Sequence, residues 1–168
     1  MAKREALRDL PDLRWHLIVP LQGNKARDAA ATFDWVETVD RPRIAERLSS
    51  ARSTTAAPLN VLVQVNVSGE VTKSGVAPAA ALELARYVAT LPNLRLRGIM
   101  GIPEPTSDEA RLRAQFRQLA QSLAALRSAG LDVDTLSMGM SADAEVAIAE
   151  GATEVRIGSA LFGPRRSP

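Results

Sequence analysis

The sequence is poor in the side chains that build thiol and metal sites. It contains no cysteine, which excludes disulfides, thiol catalysis and cysteine-ligated metals. Its single histidine, His16, excludes a histidine-rich metal site. Aromatic residues make up only 4% of the chain, so leucine, valine, isoleucine and alanine must form most of any core. We therefore predict a protein without a metal site that is held together by aliphatic packing.

Neither a dominant charge nor a long apolar run is present. The formal net charge is only +2, and the arginines are spread along the chain instead of forming the basic patch of a nucleic-acid binder. No apolar run approaches the roughly 20 residues that cross a bilayer. The charged first residues also lack the apolar core of a signal peptide. The sequence therefore predicts a cytoplasmic protein with neither nucleic-acid nor membrane partners.

Six apolar segments alternate with helical patterns along the 168 residues. The segments begin near residues 13, 35, 59, 94, 133 and 153, and no linker interrupts them. Such alternation indicates a single α/β domain, residues 1–168, with a parallel sheet covered by helices. No Gly-x-Gly-x-x-Gly motif supports an open, dinucleotide-binding sheet. We therefore predict an incomplete TIM barrel with about six of its eight strand–helix units, the first two being absent.

The longest helix is predicted between Thr106 and Gly130. Large apolar side chains recur there at steps of three and four, as on the buried face of a helix. They are Leu112, Phe116, Leu119, Leu123 and Leu126. Thr106 and Glu109 have the spacing of a capping box, and Gly130 suits the end of a helix.

The last two predicted strands both run into small residues. Gly139 and Ser141 follow one strand, and Gly158 and Ser159 follow the other. Helix N-termini at such junctions offer unpaired N–H groups to a phosphate, and barrel enzymes often bind phosphate after their last two strands. Two alternatives stay open, because these residues also favour plain turns and Ser141 could cap a helix over residues 142–150. The acidic Asp143 would repel a phosphate and weakens the case for Ser141.

Arg156 is a charged residue inside an apolar strand. Because side chains alternate along a strand, Arg156 points to the opposite face from Val155 and Ile157. If those two residues pack against helices, Arg156 points into the barrel, where a charge needs a partner. An ion pair with Glu154 is the alternative to a ligand contact.

Four stretches of the sequence resemble the pyridoxal phosphate homeostasis proteins (the YggS/PROSC family), which share the barrel of alanine racemase. They are WHLIVPLQGNK at residues 15–25, VLVQVNVS with TKSG at 61–75, LRGIMGIP at 96–103, and LSMGMS with VRIGSALFG at 136–163. Each stretch is a weak signal by itself, but all occur in the family's order and extend from about residue 13 to residue 165. The sequence departs from the family at Val19, where glycine is usual.

The resemblance implies a barrel that holds pyridoxal 5′-phosphate and has no turnover of its own. In the family a lysine on the first strand forms a Schiff base with the cofactor, and a Gly-Glu-Asn-type motif follows on the second strand. Neither stretch occurs in this sequence. The resemblance assigns the phosphate to Ser141, Gly158 and Ser159, and the pyridine nitrogen to Arg156. We therefore expect an N-terminally truncated member that binds the cofactor weakly and noncovalently, with no catalytic residue.

Other hypotheses remain open from the sequence. Lys25 and Lys73 are candidate replacements for the absent lysine, although a solvated surface position is the commoner environment for both. A racemase-like or decarboxylase enzyme would need such an amine and a second acid–base group. His16 is expected to be a hydrogen-bonded interior residue. The chain could also be an inert or partner-requiring fragment, because open strand edges at residues 13–19 and 153–158 invite self-association.

Overall fold

The fold is a single curved sheet with helices on its outer face. A computed structural model describes residues 2–7, 9–70 and 73–163. Within these residues six strands form one sheet whose order follows the chain. They are β1 (His16–Leu17), β2 (Trp35–Val39), β3 (Leu59–Val65), β4 (Leu94–Gly101), β5 (Thr135–Met140) and β6 (Glu154–Arg156).

Helices follow or precede the strands in regular alternation. They are α1 (Ala2–Ala6), α2 (Ala26–Thr32), α3 (Pro42–Ala51), α4 (Ala81–Ala89), α5 (Glu109–Ser128), α6 (Ala144–Ala149) and α7 (Ser159–Phe162). Two 3₁₀ turns, Gly23–Lys25 and Pro78–Ala80, lead into α2 and α4. In the described part of the chain no helix is long and apolar enough to span a bilayer.

All neighbouring strands of the sheet are parallel, as the alternation of strands and helices predicts. β3 lies between β2 and β4, and all but one of its residues are buried. Helices cover one face of such a strand and the interior of the fold covers the other, which explains its nearly continuous apolar sequence. The predicted α/β architecture is confirmed.

The sheet curves so strongly that its two edge strands approach each other. Among the described residues β1 pairs only with β2, and β6 only with β5. Nevertheless Nδ1 of His16 on β1 lies 3.5 Å from Oε1 of Glu154 on β6. A contact between the first and last strands requires a sheet that bends like the wall of a barrel. The structure is thus a half-barrel, in agreement with the predicted incomplete barrel.

The α5 helix buries the apolar stripe that its sequence predicts. Phe116, Leu119, Leu123 and Leu126 lie in the core, and Leu112 packs against it. The start of the helix differs from the prediction, because Asp108 is the N-cap and accepts a 3.1 Å hydrogen bond from the N–H of Arg111. The hydroxyl of Thr106 accepts the N–H of Asp108 instead. Aspartate caps helices at least as well as threonine, and it stands closer to the first helical turn.

β1 is shorter than the strand predicted over residues 13–19. Its ladder with β2 covers only His16 and Leu17. The carbonyl oxygen of Val19 accepts a hydrogen bond from the hydroxyl of Thr38 in place of a backbone N–H. Pro20 follows and has no N–H to donate, so the strand ends early.

Gly98 allows β4 and β5 to pair in the observed register. It stands opposite Thr135, and its φ of +149° is a conformation that residues with side chains rarely adopt. A Cβ atom at this position would collide with the carbonyl oxygen of Thr135. Glycine is therefore required at position 98. It lets β5 approach β4 closely, and this places β5 and the residues that follow it.

Candidate functional site

Ser141 lies just beyond β5 and faces the start of α7. Its Oγ accepts hydrogen bonds from the N–H groups of Gly158 (3.1 Å) and Ala160 (3.2 Å). β5 and β6 are parallel neighbours, so their carboxyl ends meet at the same edge of the sheet. Gly158, Ser159 and Ala160 are exposed. One hydroxyl and two amides therefore converge at a place that solvent can reach.

The capping role considered for Ser141 is wrong. α6 begins at Ala144, and its N-cap position is occupied by Asp143. Oδ1 of Asp143 accepts a hydrogen bond from the N–H of Met140. The curvature of the sheet brings α7 within reach of Ser141, so the hydroxyl serves α7 and not the helix that follows it in sequence. The carboxylate of Asp143, which would repel a phosphate at Ser141, stands two residues further along the chain.

The side chain of Arg156 points into the half-barrel, as the alternation along β6 predicts. Its Nη1 donates to Oγ of Ser137 on β5 (2.9 Å), and its Nη2 donates to the carbonyl oxygen of Gly101 on β4 (3.0 Å). The alternative partner, Glu154, lies instead beside His16. Within the described residues Arg156 is thus held by hydrogen bonds to a hydroxyl and a carbonyl.

Arg156 places a positive charge inside the half-barrel, and this charge persists at neutral pH. Burial lowers the pKa of its guanidinium, and the negative charges of Glu37, Glu154 and Asp143 raise it. A guanidinium titrates so far above neutrality that it stays protonated in either case. N–H donors with a fixed charge therefore face the space inside the half-barrel.

Glu37 is a central member of this interior that sequence reasoning missed. The residue is fully buried on β2, with Oε1 2.8 Å from Nδ1 of His16 and Oε2 2.6 Å from Oγ of Ser137. Oε1 of Glu154 lies 3.5 Å from both the imidazole and the hydroxyl. A signal was available, because Glu37 interrupts the apolar strand WVETV just as Arg156 interrupts β6.

His16 is the hydrogen-bonded interior residue that the sequence leads us to expect. Burial lowers the pKa of the imidazole, but hydrogen bonds and charges from Glu154 and Glu37 outweigh burial and raise the pKa to about 9. The ring also stacks on Trp35, with centroids 5.0 Å apart. Donor atoms of the imidazole and the two carboxylates lie within 4.8 Å of one another, a spacing that suits a metal ion. The imidazole lies 2.8 Å from one carboxylate and 3.5 Å from the other, so we interpret the trio as an ionic cluster.

The two lysines considered as replacement amines lie on loops and turns. Lys25 is exposed at the end of the turn Gly23–Lys25. Nζ of Lys73 lies 2.8 Å from Oε1 of Glu70 in the loop after β3. The exposed position of Lys25 favours the surface interpretation, whereas Nζ of Lys73 is buried, so the surface interpretation is wrong for that atom.

Comparison with known proteins places the chain in a family. It matches the family described as "Alanine racemase, N-terminal domain" over residues 3–166. It is 56% identical over 165 residues to the pyridoxal phosphate homeostasis protein of Pseudomonas aeruginosa, a match that covers 98% of this chain and 70% of that protein. The chain belongs to the pyridoxal phosphate homeostasis protein family. The family's member from Escherichia coli K12 is 53% identical over 153 residues, which are 91% of this chain and 65% of the relative.

Solved structures agree with this membership of the pyridoxal phosphate homeostasis family. PipY of Synechococcus elongatus, solved with PLP bound, is 37% identical with a TM-score of 0.85, over 96% of this chain and 76% of PipY. Alanine racemase of Clostridium difficile has a TM-score of 0.74 at 17% identity, over 99% of this chain and 44% of the racemase. The similarity to alanine racemase shows the fold alone. PipY and alanine racemase together confirm the predicted alanine racemase-like barrel. This chain spans 70% of the full length of the Pseudomonas aeruginosa protein and 65% of that of the Escherichia coli protein.

Proposed function

We propose that the chain binds pyridoxal 5′-phosphate with residues at the carboxyl ends of β5 and β6. The observation that carries the proposal is the convergence of the Gly158 and Ala160 amides on the hydroxyl of Ser141. Ser141, Gly158 and Ser159 would hold the phosphate, and Arg156 would face the pyridine nitrogen. The names of its homologues and the PLP bound to PipY support this ligand.

The junction between β6 and α7 fits a phosphate group. Two amide N–H groups already aim at one oxygen atom, and a phosphate oxygen can share these amides with the hydroxyl, which would donate its own proton to the phosphate. Nothing lies within 4 Å of the position that a Cβ of Gly158 would occupy, so there is room beside the amides. The exposure of Gly158 and Ser159 leaves the junction open to an incoming ligand.

Arg156 fits the nitrogen end of the cofactor ring. A guanidinium does not give up its proton readily, so it donates to the pyridine nitrogen and leaves that nitrogen unprotonated. When bound, the cofactor supplies a reactive aldehyde on an aromatic ring that can withdraw electrons. A ring held against Arg156 withdraws electrons poorly and so gives little stabilisation to a carbanion.

Binding by this chain is noncovalent and weak in our proposal. Lys25 is exposed at a turn, and Lys73 is engaged with Glu70. The amides at Gly158 and Ala160 and the side chains of Ser141 and Arg156 would then supply the affinity. Hydrogen bonds that involve a charged group contribute about 1.5 to 3 kcal/mol each, so losing one should be measurable.

Titration of the purified chain with pyridoxal 5′-phosphate tests the proposal. Ser141→Ala should weaken binding about tenfold, because it removes the hydroxyl beside the two amides. Ser122→Ala is the matched control, since Oγ of Ser122 donates to the carbonyl of Gln118 within α5. Equal affinities of the wild type and Ser141→Ala would contradict the phosphate assignment.

The same samples distinguish the competing functions. Borohydride treatment followed by mass spectrometry should leave every lysine unmodified, and an adduct on Lys25 or Lys73 would contradict noncovalent binding. Racemisation of alanine by the cofactor-loaded chain would support the enzyme hypothesis instead. Absence of binding in the wild type would favour an inert fragment.

We also propose that the chain folds as one cytoplasmic domain and self-associates through its sheet edges. β1 and β6 each have a single neighbouring strand among the described residues, and Leu161 and Phe162 beside β6 are 71% and 86% exposed. Unpaired strand edges and exposed apolar side chains both favour association with another copy. Light scattering should show a molecular mass that rises with concentration. A monomer at all concentrations would contradict self-association.

A further inference from the structure

Two contacts of different kinds hold the guanidinium of Arg156. One is the carbonyl oxygen of Gly101, at 3.0 Å from Nη2. The fold fixes this oxygen, because α5 packs so closely on β4 that a Cβ at Gly101 would run into the side chain of Leu119. The other contact is Oγ of Ser137, at 2.9 Å from Nη1. A hydroxyl proton can rotate, so the second contact depends on whatever orients the hydroxyl of Ser137.

Glu37 orients that hydroxyl. A serine hydroxyl has one proton to donate and two lone pairs with which to accept. The proton goes to Oε2 of Glu37 at 2.6 Å, which leaves the lone pairs of Ser137 for Nη1 of Arg156. Oε1 of Glu154 is 3.5 Å from the same hydroxyl and is the weaker acceptor at that distance. The direction of the bonds, from Arg156 to Ser137 to Glu37, is therefore defined.

The carboxylate of Glu37 is itself fixed from the other side. It is fully buried, and its second oxygen lies 2.8 Å from Nδ1 of His16. With one oxygen committed to each partner, the carboxylate cannot turn without breaking a charge-assisted hydrogen bond. The carboxylate of Glu37 on β2 thus determines the position of the Arg156 guanidinium on β6, and the hydroxyl of Ser137 on β5 connects the two.

We propose that Glu37 and Ser137 are positioning residues for the ring half of the cofactor site, holding the guanidinium of Arg156 where it meets the pyridine ring. The proposal rests on the proposed function, since the ring is that of pyridoxal 5′-phosphate. An arginine side chain loses much conformational freedom when it is ordered. A guanidinium that is ordered before the ligand arrives avoids that loss on binding. We call the chain of hydrogen bonds from Arg156 through Ser137 to Glu37 the relay. The phosphate half of the site, at Ser141 and Gly158, does not depend on it.

The first test needs no ligand. In the ¹⁵N-labelled full chain, the guanidinium signals of Arg156 are assigned by their loss in Arg156→Lys. We expect resolved signals that shift and broaden in Ser137→Ala and Glu37→Gln, because the guanidinium becomes mobile. The controls Ser122→Ala on α5 and Glu83→Gln on the exposed face of α4 should leave the signals unchanged. If the signals are already those of a mobile side chain in the wild type, or are the same in all four variants, the proposal is wrong.

The second test separates the ring from the phosphate. Ser137→Ala should weaken pyridoxal 5′-phosphate binding about tenfold and leave competition by inorganic phosphate unchanged. Ser141→Ala should weaken both ligands. Equal losses for both ligands in Ser137→Ala would indicate general damage and would overturn the positioning role. A wild type that binds no pyridoxal 5′-phosphate overturns the proposed function, while the signals of Arg156 still decide whether the relay exists.

Discussion

Ser137 donates a 2.6 Å hydrogen bond from Oγ to Oε2 of Glu37, across the half-barrel and 100 residues away in the chain. The bond joins β5 to β2, which are not neighbours in the sheet, and both residues are fully buried. Glu37 also contacts His16, and Ser137 also contacts Arg156, so side chains from four strands form one polar layer. Each member of such a layer depends on the others, because a buried polar group without its partner is costly.

Loss of the buried carboxylate should destabilise the fold. Glu37→Ala removes the short hydrogen bonds of His16 and Ser137 and leaves each of them with Glu154, at 3.5 Å, as its remaining carboxylate neighbour. We expect the free energy of unfolding to fall by about 3 kcal/mol, as when one partner of a buried ion pair is removed. Urea unfolding followed by circular dichroism measures the change. Glu83→Ala, at an exposed position of α4, is the control, and a comparable loss in that variant would count against the explanation.

Stability should depend on pH through His16. Its pKa of about 9 in the folded chain exceeds the ordinary value of 6.5, so its contribution is fully present below pH 6.5 and is lost as the pH rises through 9. The loss should be on the order of 1 to 2 kcal/mol, because the ring is partly exposed to solvent. Unfolding of the wild type and of His16→Gln above and below this range measures it, and the variant should show no such step.

The same ionisation can be observed directly. His16 is the only histidine of the chain, so its ring protons give an unambiguous NMR titration. A midpoint near 9 is expected, and a midpoint near the ordinary 6.5 would show that the two carboxylates do not hold the proton.

Removing the charge of Asp143 should strengthen phosphate binding. Asparagine keeps an oxygen that accepts the N–H of Met140, so Asp143→Asn changes the charge and preserves the local bond. We expect inorganic phosphate to bind about two- to threefold more tightly at low ionic strength, with a smaller gain as salt is added. Competition titrations at several salt concentrations test this. Asp132→Asn, an exposed position ahead of β5, should have no effect, and an unchanged affinity in Asp143→Asn would contradict the location of the phosphate.

Gly98 should tolerate no side chain. In Gly98→Ala the new methyl group would collide with the carbonyl oxygen of Thr135, and the β4–β5 pairing would have to open. We expect a loss of more than about 3 kcal/mol in the free energy of unfolding. Gly130→Ala is a matched control, since Gly130 also has a positive φ, +84°, but nothing lies within 4 Å of its missing Cβ. That variant should lose only about 1 kcal/mol from backbone strain, and equal losses would show that the collision is unimportant.

Features that depend on near neighbours in the chain could be predicted from the sequence. Apolar residues at steps of three and four predicted the buried face of α5, and alternation along β6 predicted the inward direction of Arg156. These predictions succeed because helices and strands have fixed periods. The same alternation, applied to β2, would have pointed Glu37 inward as well. The four motif stretches, taken together, were sufficient to indicate the family.

Contacts between residues that lie far apart in the chain could not be predicted from the sequence. The parallel sheet, the junction at Gly158 and the inward charge of Arg156 could all be predicted from the sequence. The sequence did not determine that Ser141 serves α7 in place of α6, or that Glu37 meets Ser137. Those pairings follow from the curvature and register of the whole sheet, which arise from helix packing and from close backbone approaches such as that at Gly98. A hydroxyl bonds to a group that lies within about 3 Å, and for Ser137 and Ser141 the fold supplies that group from a remote part of the chain.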